Sequence, residues 1–299
     1  MSVTKEEIGS WFRELQLHIC SELEAEDGKA KFEEDNWERP GGGGGHTRVI
    51  QHGNVFEKGG VNFSAVHGEL TEHIAKALSL ETRKFYATGV SIVIHPINPF
   101  VPIIHMNVRY FELADGTYWF GGGIDLTPHY VQEEDAAFFH QQLKQTCDKS
   151  DLAYYPMFKQ WADDYFYIKH RKETRGIGGI FFDRLKATKV KTKDDIWKFV
   201  QEVGQTFAPT YRALVAKNKD KAYAEENLQW RNLRRGRYVE FNLVYDKGTK
   251  FGLETDGRIE SILMSLPENA SWYYNHQTAE NSAEAKTLSH LVKGVDWAS

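Results

Sequence analysis

Apolar residues near the N-terminus recur at the spacing of an amphipathic helix. Thr4 and Glu7 form a capping-box pattern, and we therefore predict a helix over residues 4–25. The apolar face of this helix consists of Ile8, Trp11, Phe12, Leu15 and Ile19. Such a stripe usually packs against a protein core, so we expect a packed surface helix and not a membrane anchor.

A run of five glycines, residues 41–45, follows Pro40. Ordering several glycines costs much backbone entropy, because glycine is freer than other residues in the unfolded chain. The sequence allows two interpretations: a flexible connector, or a loop that closes over a ligand or approaches it closely.

From residue 46 the residue pattern is typical of strands joined by short turns. His52-Gly53-Asn54 predicts a hairpin between the segments TRVIQ and VFEKG. We predict a short helix over residues 69–78. The next three strand segments are FYATGVSIVIHP, PIIHMNVRYFEL and TYWFGGG. Because their connections are short, they should pair antiparallel.

The middle of the chain is predominantly helical. We predict helices over residues 133–148 and 157–172, followed by a strand within RGIGGIFFDRL (175–185). Thr192 caps a long helix that Pro209 should kink or end. Another helical stretch then reaches about residue 234.

The C-terminal part predicts a second group of strands before a last helix over residues 282–292. These strand segments are YVEFNLVY, TKFGLET and RIESILMSL. Strands in two groups, with helices between them and at both ends, indicate an α+β fold. We predict a single domain over residues 1–299, with a large, mostly antiparallel sheet flanked by helices on both faces.

Composition narrows the class of protein. The chain has 299 residues, 2 cysteines and a formal net charge of −5. Two cysteines cannot supply a disulfide framework, which favours a reducing compartment, and we expect the cytoplasm. The N-terminus lacks the basic start and apolar core of a secretory signal, and no apolar run approaches the ~20 residues that span a bilayer. The acidic balance argues against nucleic-acid binding, which needs a basic surface.

The most informative stretch is the pair of strands that carries SIVIH and HMNVR. Side chains alternate between the two faces of a strand, so Ser91 and His95 share one face. In the next strand His105, Asn107 and Arg109 share one face. If the two faces match, they combine groups that suit an anionic ligand and acid–base chemistry. The alternative is two structural histidines beside an exposed arginine.

Other polar residues allow two interpretations each. Asp125 follows three glycines, which permit close approach of a ligand. Asp246 follows a predicted strand, where it either starts a turn or accepts the N–H groups of a ligand. His140 and His170, taken singly, are more typical of core or boundary positions than of metal ligands. No HExxH or CxxC motif supports zinc.

Two arginine clusters stand out against the acidic average: HRKETR (170–175) and RNLRRGR (231–237). They are either solvated helix ends or a positive region that attracts a carboxylated substrate. The residue pattern by itself thus indicates a pocket for a carboxylated ligand, with groups capable of acid–base chemistry.

Several long blocks stand in a fixed order along the chain: FEKGGVNFS, HMNVRYFE, WFGGGIDLTP, YFYIKHR, RGIGGIFFD, RRGRYVEFNLVYD and ESILMSLP. These blocks closely resemble the oxygen-dependent coproporphyrinogen oxidases of haem biosynthesis. The resemblance extends from the glycine run to the last predicted helix. So many ordered blocks would not recur by chance in another fold.

The resemblance implies an activity. Enzymes of this family convert two propionates of coproporphyrinogen III to vinyl groups, with O2 as the electron acceptor, and release protoporphyrinogen IX, CO2 and hydrogen peroxide. They are homodimers with a broad antiparallel sheet, and residues 238–273 match the segment linked to dimerisation. They use no organic cofactor. A divalent metal is described for bacterial members, while the same fold is also described as working without one.

The resemblance also implies roles for individual residues. His105 matches the candidate proton donor, and Asp246 or Asp125 would hold the pyrrole N–H groups. Lys247 stands where the family commonly has arginine, which removes a planar bidentate contact. The substrate-contacting positions are Ser91, Asn107, Val108, Arg109, Asp256, Gly257 and Arg258. The divalent-metal positions are His95, His105, His140 and His170.

Two rival functions stay open from the sequence. A non-catalytic tetrapyrrole carrier would need the arginines but no acid–base groups, and tight porphyrin binding without O2 uptake would identify it. A nucleic-acid-binding protein would use the two arginine clusters and would show salt-sensitive retention on heparin.

Overall fold

The first helix begins where the sequence predicts it. The computed structural model describes residues 2–70, 72, 82–254 and 257–299. Helix α1 spans Lys5–Asp27, and the side chains of Thr4 and Glu7 each accept the backbone N–H of the other. The predicted capping box is therefore present. The helix predicted over residues 69–78 lies mostly outside the described residues.

A seven-stranded sheet forms the centre of the fold. Its strands, in spatial order, are β1 (Glu33–Glu38), β2 (Gly43–Gln51), β3 (Phe56–Glu69), β4 (Lys84–Pro96), β5 (Ile103–Leu113), β6 (Tyr118–Thr127) and β9 (Gly179–Leu185). All neighbouring pairs are antiparallel, which confirms the predicted sheet. β7 (Tyr167–Ile168) and β8 (Glu173–Thr174) form a separate hairpin.

The glycine run is part of the sheet and not a free connector. Gly43 begins β2, so only residues 39–42 connect β1 to β2. Gly43 has a φ of 77°, and a Cβ there would lie 2.2 Å from the carbonyl oxygen of Ala65. Glycine is required at this position because a side chain would clash with β3. The predicted hairpin at His52 joins β2 to β3, with a φ of 53° at His52.

Seven further helices lie in the described part of the chain: α2 (Glu133–Asp148), α3 (Tyr154–Tyr165), α4 (Lys193–Asn218), α5 (Glu225–Val244), α6 (Lys247–Glu254), α7 (Ile259–Leu263) and α8 (Ala283–His290). α2 and α8 occupy their predicted positions. Pro209 lies inside α4 and does not end it, because this proline is on the exposed side, where water can reach the carbonyl group that it leaves unbonded.

The helix predicted over residues 157–172 ends earlier, at Tyr165. The chain then turns back as the β7–β8 hairpin, and Lys172 has a φ of 59°, outside the helical region. Phe166 and Ile168 are buried in one cluster with Phe241 of α5. This tertiary packing outweighs the helical pattern of the segment.

The prediction of a second group of strands after residue 237 is wrong, because helices α5, α6 and α7 occupy this region. The segment YVEFNLVY also contains a helical spacing, and Tyr238, Phe241 and Asn242 are buried along α5. Its alternation of apolar and polar residues fits a strand equally well. Contact between α5 and the rest of the protein selects the helix, which local sequence does not reveal.

The two faces of the sheet differ in character. One face packs on α1 and α4 and forms the main hydrophobic core, which includes Ile8, Phe12, Ile92, Met106, Val108, Phe199 and Val203. Segments from α5 to α7 lie over the other face. There Tyr238 meets His95 edge-on at 5.2 Å, and Ser261 bonds Thr47 at 2.7 Å. The sheet is thus flanked by helices on both faces, as predicted.

One buried carboxylate ties the end of α1 to the β2–β3 hairpin. Asp27 accepts backbone N–H bonds from Ala30, Asn54, Val55 and Phe56 at 2.9–3.0 Å. Burial raises the pKa of Asp27, but the combined N–H bonds outweigh burial and hold this pKa below its usual value.

We expect Asp27→Asn to lower the free energy of unfolding at pH 7 by about 2–3 kcal/mol, because the amide NH2 would face backbone donors. Since the folded pKa lies below the unfolded one, Asp27 contributes its stability above about pH 4, and the difference from the variant should shrink as pH falls below that value. Denaturant unfolding between pH 3 and 7 measures this. Asp115→Asn, at an exposed turn, should change stability by less than about 0.5 kcal/mol. Equal losses in the two variants would contradict the role assigned to Asp27.

Candidate active site

The register of the central strands places four predicted site residues on one face. Ser91 of β4 lies opposite Asn107 of β5, and His105 and Arg109 flank Asn107 on the same face. The prediction that these residues share a face is confirmed. Val108 is fully buried on the opposite, core face, so its side chain cannot reach a ligand bound beside Asn107.

Glycines of β6 leave no side chains on this face next to Asn107 and Arg109. In β6, Gly123 lies opposite Asn107 and Gly121 lies opposite Arg109. A Cβ on Gly121 would lie 2.7 Å from Nε of Arg109 and 2.6 Å from Oδ1 of Asp183. Arg109 therefore crosses β6 over bare backbone and reaches Asp183 of β9 at 2.9 Å, while its Nη1 donates to Asn107 at 2.7 Å.

His105 is joined to a buried carboxylate and a buried arginine. Nδ1 of His105 lies 2.7 Å from Oδ1 of Asp125, and Nη2 of Arg175 donates to Oδ2 of Asp125 at 2.6 Å. The side chains of Asp125 and Arg175 are each 2% exposed, whereas that of His105 is 21% exposed. Because Asp125 occupies Nδ1, Nε2 is the nitrogen of His105 that is available to a ligand.

Arg175 and His105 favour the ionised form of Asp125. Burial raises the pKa of Asp125, but the Arg175 charge and the His105 hydrogen bond outweigh burial and hold this pKa below its usual value. An ionised Asp125 favours the tautomer of His105 that carries its proton on Nδ1.

Three rings and an amide enclose Arg175. Its guanidinium carbon lies 4.3–4.8 Å from the ring centres of Phe166, Tyr238 and Phe241, and Nη1 donates to Asn242 at 2.8 Å. The sequence offers two interpretations for the arginine cluster 170–175: a solvated helix end, or a positive surface that attracts a substrate. Arg175 fits neither interpretation, because it is buried and paired with Asp125. The sequence signal for its burial is its position directly before the GIGG segment (176–179), which leads into β9.

The second arginine cluster is occupied by internal ion pairs. Arg235 is fully buried and donates to Glu57 and to the carbonyl oxygen of Pro96. Arg234 pairs with Glu173 at 3.0 Å. Because α5 lies against the protein, its arginines meet carboxylates there and do not form a free surface for a substrate or a nucleic acid.

Asp246 lies at the junction of α5 and α6 and not at the end of a strand. Its Oδ2 accepts the backbone N–H of Thr249 at 2.7 Å, and its Oδ1 accepts the hydroxyl of Tyr165 at 2.9 Å. Burial lowers the pKa of Arg175, but the charge of Asp125 and, more weakly, that of Asp246 help to outweigh burial and raise this pKa above its usual value. Asp246 therefore belongs to the same electrostatic site, and each of its oxygens can accept a further hydrogen bond.

Arg258 directly precedes α7 and lies near β1, at the other end of the sheet face that carries Ser91 and Asn107. It forms an ion pair with Asp35 of β1 and donates to Ser261 at 3.4 Å. Gly257 precedes it, and a Cβ there would lie 2.6 Å from the carbonyl oxygen of Gly252. Asp256 lies outside the described residues.

A row of residues connects the two ends of the face. Directly opposite one another across β2 to β6 are Thr47, Asn62, Ser91, Asn107 and Gly123. Because neighbouring strands lie about 4.8 Å apart, the row is roughly 19 Å long. We call this row, together with His105 and Arg109, the polar face.

Two of the four histidines matched to metal positions, His140 and His170, have hydrogen-bond partners that do not belong to the polar face. His140 is buried in α2, where Nδ1 lies 3.0 Å from the hydroxyl of Tyr155 and Nε2 lies 2.9 Å from the carbonyl oxygen of Ile177. Burial lowers the pKa of His140 to about 4. His170 is exposed, and its Nε2 lies 2.7 Å from Glu240.

The histidines do not form one metal-binding group. Nε2 of His95 bonds the carbonyl oxygen of Ser265 at 2.8 Å, while His105 bonds Asp125. Within the described ranges, no three His, Cys, Asp or Glu side chains are grouped as metal ligands would be. The residues as placed do not fit a metal centre at these four positions, and we assign no chemical step to one.

The fold and the polar face define a class of protein: an α+β protein whose sheet carries an imidazole–carboxylate pair beside arginines able to bind anionic groups. Among the described helices, none has the length and apolar character needed to cross a bilayer.

Comparison with known proteins identifies the family. The family described as coproporphyrinogen III oxidase matches residues 7–297. The chain is 49% identical to coproporphyrinogen-III oxidase 1, chloroplastic, of Arabidopsis thaliana, over 95% of this chain and 77% of that protein. It is 52% identical to the oxygen-dependent coproporphyrinogen-III oxidase, mitochondrial, of Homo sapiens, over 95% of this chain and 65% of that protein. The chain belongs to the coproporphyrinogen III oxidase family.

We expect Asp125→Asn to destabilise the protein by about 3–5 kcal/mol, because it leaves the buried Arg175 without its counter-charge. Asp183→Asn is the matched control. It breaks an ion pair whose side chains are 38% and 35% exposed, and it should change stability by less than about 1 kcal/mol. Denaturant unfolding of both variants measures the difference. A loss of stability in Asp125→Asn no greater than that in Asp183→Asn would show that the buried pair is not important for folding.

Proposed function

We propose that the polar face binds coproporphyrinogen III and that the protein uses O2 to convert two of its propionates to vinyl groups. The products are protoporphyrinogen IX, CO2 and hydrogen peroxide, in haem biosynthesis. Family membership supports the reaction. The observation that supports this location is the arrangement of Arg109, the His105–Asp125 pair and Asp246 around one sheet face.

The balance of the reaction requires a proton donor. One propionate loses CO2 and a hydride equivalent from the carbon next to the pyrrole ring, and a vinyl group remains. The hydride equivalent and one proton reduce O2 to hydrogen peroxide, so each decarboxylation consumes a proton. His105 is the proposed donor, because Asp125 holds its ring through Nδ1, Nε2 is left for the substrate, and its side chain is 21% exposed.

The two arginines suit the substrate's carboxylates. Arg109 and Arg258 lie toward opposite ends of the polar face, with Ser91 and Asn107 between them. A macrocycle with propionates around its rim can use both ends, and this would determine which propionate faces His105. Asp256 and Gly257, which precede Arg258 in the sequence, are included in the proposed contacts.

Asp246 is a better candidate than Asp125 for binding the pyrrole N–H groups. Both oxygens of Asp125 are engaged, by His105 and Arg175, and the residue is 2% exposed. Asp246 is half-buried and can accept further bonds. A carboxylate that accepts these N–H bonds increases the electron density of the pyrrole, which favours its oxidation by O2.

O2 is the proposed co-substrate, and no organic cofactor is proposed. The cytoplasm is the proposed location, although two of the relatives above are named as chloroplastic and mitochondrial. Cys20 and Cys147 are buried free thiols, as is common in a reducing compartment.

A non-catalytic carrier would give no role to the His105–Asp125 pair, so we do not favour it.

A homodimer is also proposed, with residues 238–273 as the interface of a single domain that extends over residues 1–299. This segment exposes several large apolar side chains: Leu243, Val244, Leu253, Ile259, Trp272 and Tyr273. Clusters of exposed apolar residues are typical of protein–protein interfaces.

The first test is aerobic incubation of the purified protein with coproporphyrinogen III. We expect the dicarboxylic product to accumulate with uptake of one O2 for each propionate lost, and no product when O2 is removed. Chromatography of the porphyrins and an oxygen electrode provide the two measurements. Tight binding of the tetrapyrrole without O2 uptake would instead identify a carrier.

The dimer is tested by Leu243→Asp, which places a charge in the proposed interface. We expect the wild type to sediment with twice the mass of the chain and the variant to shift toward the monomer, because burying an unpaired carboxylate is unfavourable. Leu152→Asp, at a residue that is 74% exposed outside the segment, is the matched control and should remain dimeric. Sedimentation of the wild type as a monomer would refute the dimer.

A further inference from the structure

The carboxylate of Asp246 is held by two donors from different parts of the chain. One is local: the backbone N–H of Thr249, at the start of α6, donates to Oδ2 at 2.7 Å. The other is distant in sequence: the hydroxyl of Tyr165, the last residue of α3, donates to Oδ1 at 2.9 Å. The local bond fixes one oxygen only, so the orientation of the carboxylate plane depends on Tyr165.

The hydroxyl of Tyr165 has a defined direction. It accepts the backbone N–H of Lys247 at 3.2 Å, so its own proton is directed to another acceptor, which is Asp246. Burial and then the charge of Asp246 raise the pKa of Tyr165 above its usual value, so the hydroxyl stays protonated and remains a donor.

The ring of Tyr165 is itself anchored to the sheet. It stacks on Phe181 with ring centres 4.2 Å apart and planes 13° apart. Phe181 belongs to β9 and lies opposite Gly123, the last member of the row across the polar face. Phe181 is also held edge-on by Trp161 at 5.4 Å. Tyr165 thus connects the sheet to the α5–α6 junction that carries Asp246.

We propose that Tyr165 is a positioning residue that orients the Asp246 carboxylate toward the pyrrole N–H groups of the substrate. The inference depends on the role proposed above for Asp246. Tyr165 donates to one oxygen and Thr249 to the other, and each oxygen keeps a lone pair that can accept a donor of the ligand. Without the Tyr165 hydroxyl, the carboxylate can rotate about its side-chain bonds, and the bound ring loses a fixed acceptor.

The test compares Tyr165→Phe, Asp246→Asn and the double variant, with coproporphyrinogen III and O2 as substrates. Tyr165→Phe keeps the ring stack and removes only the hydroxyl. We expect its kcat to fall roughly 10- to 100-fold, the range for one hydrogen bond to a charged group, with little change in KM or Tm. Because Tyr165 acts through Asp246, the double variant should be no slower than Asp246→Asn alone.

Tyr167→Phe is the matched control. Tyr167 lies two residues further along, in β7, and Lys293 covers its ring at 4.5 Å. Within the described residues its hydroxyl makes no hydrogen bond, so this variant should have the kinetics of the wild type. A crystal structure of Tyr165→Phe adds a measurement that does not depend on turnover: the Asp246 carboxylate should be rotated or disordered relative to the wild type.

The outcomes separate this inference from the proposed function. Normal kcat in Tyr165→Phe with severe loss in Asp246→Asn would refute the positioning role and leave the role of Asp246 intact. Independent losses that multiply in the double variant would also refute it, as would an unmoved carboxylate in the Tyr165→Phe structure. Near-normal turnover in Asp246→Asn would instead remove Asp246 from the mechanism, and the role of Tyr165 with it.

Discussion

The buried ion pair between Asp125 and Arg175 is the interaction on which the rest of the site depends. Asp125 comes from β6 and Arg175 from the segment that leads into the neighbouring edge strand, β9, while α5 supplies two of the rings and the amide that enclose the guanidinium group. Two buried charges are tolerated only when each is paired and hydrogen-bonded. The pair therefore docks the helical layer on the sheet and, through the second oxygen of Asp125, sets the orientation of His105.

Much of the sheet and half of the site could be predicted from the sequence, because their signals are local. Alternation within the strands placed His105, Asn107 and Arg109 on one face, and short turns indicated antiparallel neighbours. The capping residues of α1 and α4 marked both helix starts. These features depend on residues close together in the chain, where the physical rules for turns, caps and strands apply directly.

The rest depends on contacts between distant segments. The residues of α5 alternate like those of a strand, and only their packing over the protein selects a helix. Arg175 and Tyr165 receive their roles from partners 50 and 81 residues away, Asp125 and Asp246, which no local pattern reveals. The four histidines that the resemblance grouped as metal positions depend on such contacts too, because their hydrogen-bond partners belong to different segments of the chain.

The outermost strand, β1, has a consequence for how copies of this protein behave when concentrated. It forms one border of the sheet, and five of its six residues are exposed. A border strand offers unsatisfied backbone groups with which another chain could pair. Of the four acidic side chains of β1, Glu34 and Asp35 form ion pairs with Arg48 and Arg258. The other two, Glu33 and Glu38, would bring like charges together in such a pairing. Mutual repulsion thus protects this border against strand-to-strand aggregation.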